Sequence, residues 1–527
     1  MGGRCPRIAA GRRSIERPPI EAVEGVNMPK NQSLLSMDRS NRLRVPMAAI
    51  CAISFALAQA DPPHAGLTVA PDAQGLIGTY NTAGATDPAN PFFASLGTNG
   101  RSCSTCHLAT EAMTFTPGHA RDLYQRSQGH DPLFASVDGA NCQNVTRSDR
   151  TGHSLILRNG LIRIGLAVPD NAEYSIAVVH DPYGCALQVD PKTGVLTASV
   201  YRRPLPAANL SFLSAVMFDG RETISPLSAP ASFIANLRAD LAHQAVDATL
   251  GHAQATQGPG DKTVEAIVDF ELGLYAGQYA DSRAGLLYRD GALGGPVHLS
   301  ALPYHPGIND SLGADPSGNS FTPVSMLLYA AWGKPGVTER NGQAEARAEI
   351  AAGEQVFNSA AMTIENVRGL NDSAALKKPT SFAGHCATCH DTPNIGNHSL
   401  PLPLDIGTGH TDNPSLESDA VIRAAVGELS MPDLPIFLIS GCPNPFNPGQ
   451  RESFYTTDPG KALVSGLCSD FNRLKGPILR GLAARAPYFH NGSAATLLEV
   501  VNFYDQRFQM HLSQAQKRQL VAFLNSL

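Results

Sequence analysis

Twice along the chain two cysteines and a histidine fall within five positions: CSTCH at Cys103–His107 and CATCH at Cys386–His390. A redox dithiol needs CxxC and has no use for the histidine that follows. A zinc site wants a second CxxC or a histidine pair nearby, and neither motif has one. Covalent haem uses the whole motif: the thiols form thioether bonds to two vinyl groups, and the adjacent imidazole turns onto the iron. Cys103, Cys106 and His107 are therefore expected to hold one haem c, and Cys386, Cys389 and His390 a second.

Of the ten cysteines, Cys5 and Cys51 fall in the first 60 residues, which do not read as fold. There Arg39, Arg42 and Arg44 precede an apolar run from Val45 to Leu57 and the small-x-small triplet Ala58-Gln59-Ala60. That is the order of a secretory signal peptide cut before Asp61, and the stretch before Met37 reads as lying upstream of the true start. The apolar run is shorter than the roughly 20 residues that span a bilayer. No later segment is more apolar, so export to the periplasm or beyond, with no stable membrane insertion, is the expectation. Cys142, Cys185, Cys442 and Cys468 remain, an even number in an oxidising compartment. Three pairings exist on paper, and four buried thiols are the alternative. Shorter loops close at lower entropy cost, which favours Cys142–Cys185 and Cys442–Cys468.

Around these residues the chain must build haem pockets. Its 527 residues, 43% hydrophobic and 16% charged, exceed one ordinary core, so two domains are expected. A net charge of −6 with no basic cluster in the body argues against nucleic acid as a partner. With 48 Gly, 39 Pro, 6% aromatics and only Trp332 as tryptophan, the composition suggests a loop-rich protein organised partly around something other than side chains. NGQAEARAEIAAGEQVFNSA, 341–360, reads as the opening helix of the second domain. Gly and Pro crowd Gly291 to Gly336, where the linker is placed. The division is thus 1–60 leader, 61–335 first haem domain with an insertion, and 336–527 second haem domain. Helices are expected over 231–255 and 261–279, and short strands between Cys142 and Arg203. Capping patterns at Thr496-x-x-Glu499 and Ser513-x-x-Gln516 open two C-terminal helices. The fold class expected is mainly α: two cytochrome c-like haem domains packed together, with loop-rich insertions and a few strands in the first.

Residues 476–505, GPILRGLAARAPYFHNGSAATLLEVVNFYD, resemble the PxLRxxxxxxPYFHxG and TLxxxV signature of the bacterial dihaem cytochrome c peroxidase and MauG superfamily. FDGRE at 218–222 resembles its FWDGR segment, and the resemblance spans most of 85–527. It implies a peroxide-reactive first iron on His107 and an electron-transferring second iron on His390. Fourteen residues after the PYFH histidine the family places the sixth ligand of the second iron, Met in peroxidases and Tyr in the MauG branch. Here that histidine is His490 and the position is Tyr504, with Met510 in reserve. A phenolate would lower the potential of that iron and Met would raise it. Tyr504 also forms an i−4, i, i+4 stripe with Val500 and Phe508, as ordinary helix packing would. By resemblance His490 is a hydrogen-bonding group at the haem edge; by composition alone it is a buried structural histidine.

Several positions depart from the family. Its tryptophan between the haems falls at Phe218, its distal Gln at Ser228 and its distal Glu at Arg238. Peroxide cleavage needs an acid–base group. Gln244 and His252, eight apart on one helix, either face the first haem in that role or form a polar face to solvent. The family's interdomain calcium is in question, because its Asn falls on Arg203 and a neighbouring Thr on Arg485. His119 and His130 are either resting-state ligands of the first iron or surface residues.

The resemblance implies reduction of hydrogen peroxide at the first haem, with electrons from a small cytochrome c or cupredoxin-type donor arriving through the second. Oxidation of a protein side chain or an organic substrate with oxygen, as in MauG-like and rubber-oxygenase-like relatives, is the second reading. A dihaem electron carrier is the third.

Overall fold

The computed structural model describes residues 64–190, 193–333, 342–444 and 449–527. The leader and its cleavage site lie outside the described residues. Among the described residues six helices exceed ten residues: α1 (Pro117–Ser127), α2 (Phe233–Gly251), α3 (Asp261–Leu272), α4 (Gly342–Ser359), α5 (Leu497–Arg507) and α6 (Gln514–Asn525). Each start carries its local cause where a cap is formed. The Thr116 hydroxyl accepts from His119 N, with Pro117 in the first turn of α1. Thr496 accepts from Glu499 N to open α5, and Ser513 with Gln516 forms a reciprocal capping box at α6. Both C-terminal helices and the helix over 341–360 are where the sequence puts them.

α2 buries Phe233, Leu237, Leu241, Ala245 and Thr249, one stripe at four-residue spacing. α3 packs beside it and ends at Leu272, seven residues before the expected end at 279. After Gly273 the chain becomes a strand, Leu274–Asp281, paired antiparallel with Gly75–Asn81. A partner so far upstream overrides local helix propensity, and nothing in the segment alone announces it.

The expectation of a mainly α protein is met only in part: the structure is 30% helical and 16% strand. Strands also occur beyond the linker, at Met362–Glu365, Ser381–Gly384, Ile436–Pro443 and Arg451–Thr456. Ser175–His180, from the insertion, adds antiparallel to Ile436–Pro443, which in turn pairs with Arg451–Thr456. The insertion therefore completes a sheet with the second half of the chain. Tyr174, Val200, Phe437, Ile439 and Phe471 fill a core shared between them. Cys142–Cys185 and Cys442–Cys468 are disulfides, as loop closure favours, and the second tethers this sheet.

α4 and α6 cross to form the heart of the second half, burying Ile350, Phe357, Leu520 and Phe523. Gly353 stands at the crossing, where a Cβ would lie 1.9 Å from the carbonyl oxygen of Gln519. Among the described residues no helix is long and apolar enough to cross a membrane.

Candidate haem sites

The two CxxCH motifs fold alike. In each the first cysteine opens a single 3-10 turn, Cys103–Thr105 or Cys386–Thr388. The threonine before the second cysteine closes it, its hydroxyl accepting from Ser102 N in one motif and His385 N in the other, both at 3.0 Å. The histidine then aims its Nδ1 at a carbonyl six residues on: Met113 O at 2.9 Å from His107, and Gly396 O at 2.6 Å from His390. A carbonyl accepts only from a protonated nitrogen, so Nδ1 carries the proton and Nε2 keeps its lone pair, as a metal ligand requires. Burial lowers the pKa of both histidines and favours the neutral ring that ligation needs. Burial also pushes all four thiols up to about 12, which removes the reactive dithiol reading.

Each motif opens on a cavity. The one at Cys103, Cys106 and His107 holds about 1250 Å³ of empty space, and the one at Cys386, Cys389 and His390 about 1710 Å³, both partly open to solvent. Close-packed interiors keep few voids larger than a water molecule. Room, thiols and a ligand-ready imidazole together fit a covalently held macrocycle. Pro204, Leu205, Pro206, Lys475 and Ile478 line both cavities and form the wall between them.

Of the other expected residues, Tyr504, His490, Phe218 and Met510 line the second cavity. The Tyr504 and His390 ring centroids are 6.4 Å apart, and the Tyr504 hydroxyl has no hydrogen bond among the described residues. Phe508 stacks on Tyr504, so the packing stripe exists alongside the cavity position. His490 lies 3.6 Å from Asp458, its ring edge-on to Phe218, and burial lowers its pKa to about 4. Asp458 is gripped by Arg202, which also binds Asp219 of the FDGRE segment at 2.5 Å. The two stretches that carry the family resemblance thus meet through one buried arginine.

Gln244 and His252 both reach the wall of the first cavity. His252 Nδ1 is bound by Asp138, a buried carboxylate that also pairs with Arg101. Burial raises the pKa of Asp138, but Arg101 and His252 together hold it below the usual carboxylate value. Ser228 is exposed, and Arg238 pairs with Asp269 on the surface, so neither family position serves the cavity. His130 is exposed and His119 pairs loosely with Glu111; neither lines the cavity.

The calcium positions do not fit a cation. Arg203 donates to Gly160 O at 3.0 Å and Phe115 O at 2.7 Å, and Arg485 donates to Ile478 O. Burial lowers the pKa of Arg203 to about 9 and of Arg485 to about 10. Both positions thus carry guanidinium donors where the resemblance expects oxygen ligands.

The structure adds Asp138, Glu271 and Lys475 to the residues inferred from sequence. Glu271, at the end of α3, lines the first cavity with Oε2 unpartnered, and burial raises its pKa to about 8. Its signal was present: with Val264, Ile267 and Val268 it shares the buried face of α3. Lys475 is buried in the shared wall, where burial and then Arg485 lower its pKa to about 8.

Residues 475–511 match the RoxA-like, cytochrome c-like family. A stretch of 156 residues is 32% identical to cytochrome-c peroxidase IdrP2 of Denitromonas iodatirespirans, covering 27% of this chain and 36% of that one. Over these stretches the chain is similar to RoxA-like cytochrome c domains and to a cytochrome-c peroxidase. Cytochrome c-like families of this kind carry haem c, and the two CxxCH motifs are where it would be attached. The crystal structure of a MauG-like protein associated with microbial copper homeostasis aligns over 83% of this chain and 87% of its own, at 15% identity and a TM-score of 0.30. The peroxidase match spans about a third of its relative.

Proposed function

We propose that the protein is an exported dihaem c-type oxidoreductase of the peroxidase kind, reducing hydrogen peroxide in the first cavity with electrons entering singly through the second. The observation that carries this reading is His252, an imidazole on the first cavity's wall oriented through Nδ1 by buried Asp138. When bound, the first haem supplies the redox iron at which peroxide is reduced, held by Cys103 and Cys106 and ligated by His107.

Reduction of one hydrogen peroxide to two waters takes two electrons and two protons. This chain's part is the protons. His252 Nε2 accepts a proton from one peroxide oxygen and returns it to the other, and Asp138 stabilises the imidazolium between those events. Glu271 holds a second proton at neutral pH, because its carboxyl titrates near 8. The acid–base function absent from Ser228 and Arg238 is supplied from different positions in the sequence. A small cytochrome c or cupredoxin-type protein is the expected donor, in the periplasm.

The test is peroxide turnover by haem-loaded protein with a reduced small cytochrome. His252→Ala should lower kcat/KM by about 10²-fold or more with unchanged iron content. A wild-type protein that consumes no peroxide overturns the reading, and a variant at wild-type rate removes His252 from it.

A second reading is favoured by Tyr504. Tyr504 lines the second cavity, and it falls within the RoxA-like match. A phenolate there lowers the potential of the second iron and suits MauG-like or rubber-oxygenase-like oxidation of an organic group. Oxygen uptake that depends on an added organic substrate, with negligible peroxide turnover, would favour it.

A further inference from the structure

Beside the second motif lies a cluster with no part in attaching or ligating the haem, although one member, His398, also reaches the wall of the second cavity. Asp310, Asp391 and His398 are all at least nine-tenths buried, with relative exposures of 1%, 0% and 2%. One ligand atom from each lies within 4.8 Å of the other two. His398 Nε2 is 3.5 Å from Asp391 Oδ2 and 3.9 Å from Asp310 Oδ1, beyond hydrogen-bond distance in both cases. Neither His398 Nε2 nor Asp310 Oδ1 has any other partner.

The cluster is built rather than incidental. Asp310 Oδ2 accepts from Leu312 N at 3.1 Å and Ala314 N at 2.7 Å, which turns Oδ1 inward. Asp391 is fixed by Ser399 N at 2.7 Å and the Ser399 hydroxyl at 3.2 Å. The loop that brings Asp310 is stitched to the CxxCH loop by Gly307 N to Ser399 O, Asn309 Nδ2 to Asp391 O and the Ser311 hydroxyl to Thr388 O. Among the described residues no lysine or arginine forms an ion pair with either carboxylate. Two carboxyl groups and one imidazole converge out of water with no cationic side chain paired to them among the described residues.

We propose that Asp310, Asp391 and His398 bind a divalent first-row cation, Zn²⁺ or Mn²⁺, as a site separate from both irons. The imidazole nitrogen selects against Ca²⁺ and Mg²⁺, which take oxygen. The two carboxylates match the ion's charge. Ligation through Nε2 places the ring proton on Nδ1, so the 3.3 Å contact from Leu400 N, already long, is given up.

The experiment uses the haem-loaded full chain, stripped with a chelator and then titrated with Zn²⁺ or Mn²⁺. Metal content is read by elemental analysis, and the melting temperature alongside it. The proposal expects one equivalent beyond iron with a rise in Tm. It also expects a loss of affinity of at least about 100-fold in Asp310→Asn and in His398→Gln, at unchanged iron content. Stripped wild-type protein that takes up neither metal overturns it, even if both variants misfold. Uptake that Asp310→Asn leaves unchanged overturns it too, and points to adventitious binding elsewhere.

Discussion

His410 sits between two carboxylates, with Glu417 at 2.6 Å from Nδ1 and Asp405 at 3.4 Å from Nε2. Burial alone would lower its pKa, but Asp405 and then Glu417 outweigh burial and hold it at about 9. The unfolded value is near 6.5, so the folded state binds the proton more tightly. The stabilisation is complete below about pH 6.5 and is lost as pH rises through 9. His410→Gln should therefore lower the denaturant midpoint clearly at pH 6 and hardly at all at pH 9.5; equal losses at the two pH values would refute it. Glu271 runs the same way for another reason. Burial raises its pKa to about 8, so its carboxylate weakens the fold as pH rises from the unfolded value towards 8. Glu271→Gln should raise Tm at pH 8.5 and leave it unchanged at pH 4. At this scale the sequence was most legible where chemistry demands residue type. Both CxxCH motifs, and the histidine and tyrosine of the signature, could be placed before any fold was known. Asp138 and Lys475 could not, since a single acid or lysine in a loop carries no period.

Helices announced themselves where a cap and a stripe coincide, as at Ser513 and Thr496. Strands did not. Leu274–Asp281 continues the apolar content of α3 without a change of composition, and Ile436–Pro443 alternates over too few residues to stand out. The sites nonetheless depend on helix crossings whose closeness is set by small residues. At Gly353 a methyl group would meet the Gln519 carbonyl of α6, which is backbone and cannot swing aside. Gly353→Ala should cost about 1–3 kcal/mol of unfolding free energy, the range for overpacking. It should also disturb the haem spectrum of the second site, because Phe357 of α4 lies beside the His390 ring, at 6.3 Å between centroids. A denaturation curve matching wild type would show that the crossing can relax.

Over the whole molecule the two halves are joined by more than their contact. Arg202, fully buried, binds Asp219 from the first half and Asp458 from the second, and His490 rests against the same Asp458. Removing the guanidinium strands two carboxylates in a dry place, which costs about 3–5 kcal/mol. Arg202→Leu should lose that much in chemical denaturation. Asp458→Asn, which keeps one ion pair, should lose less. A larger loss in Asp458→Asn would mean that the arginine is not the keystone.

The strand at Ser175–His180 has a consequence for how such proteins diversify. Ser175 meets Ser440, 265 residues further on, so this strand has no partner in the first half until the second supplies its hairpin. The two halves are therefore not interchangeable beads. A recombination crossover anywhere between them separates a strand from the template it was shaped to fit. Chimeras would tolerate exchange of the C-terminal half only when Ile436–Thr456 and Ser175–His180 travel as a matched pair.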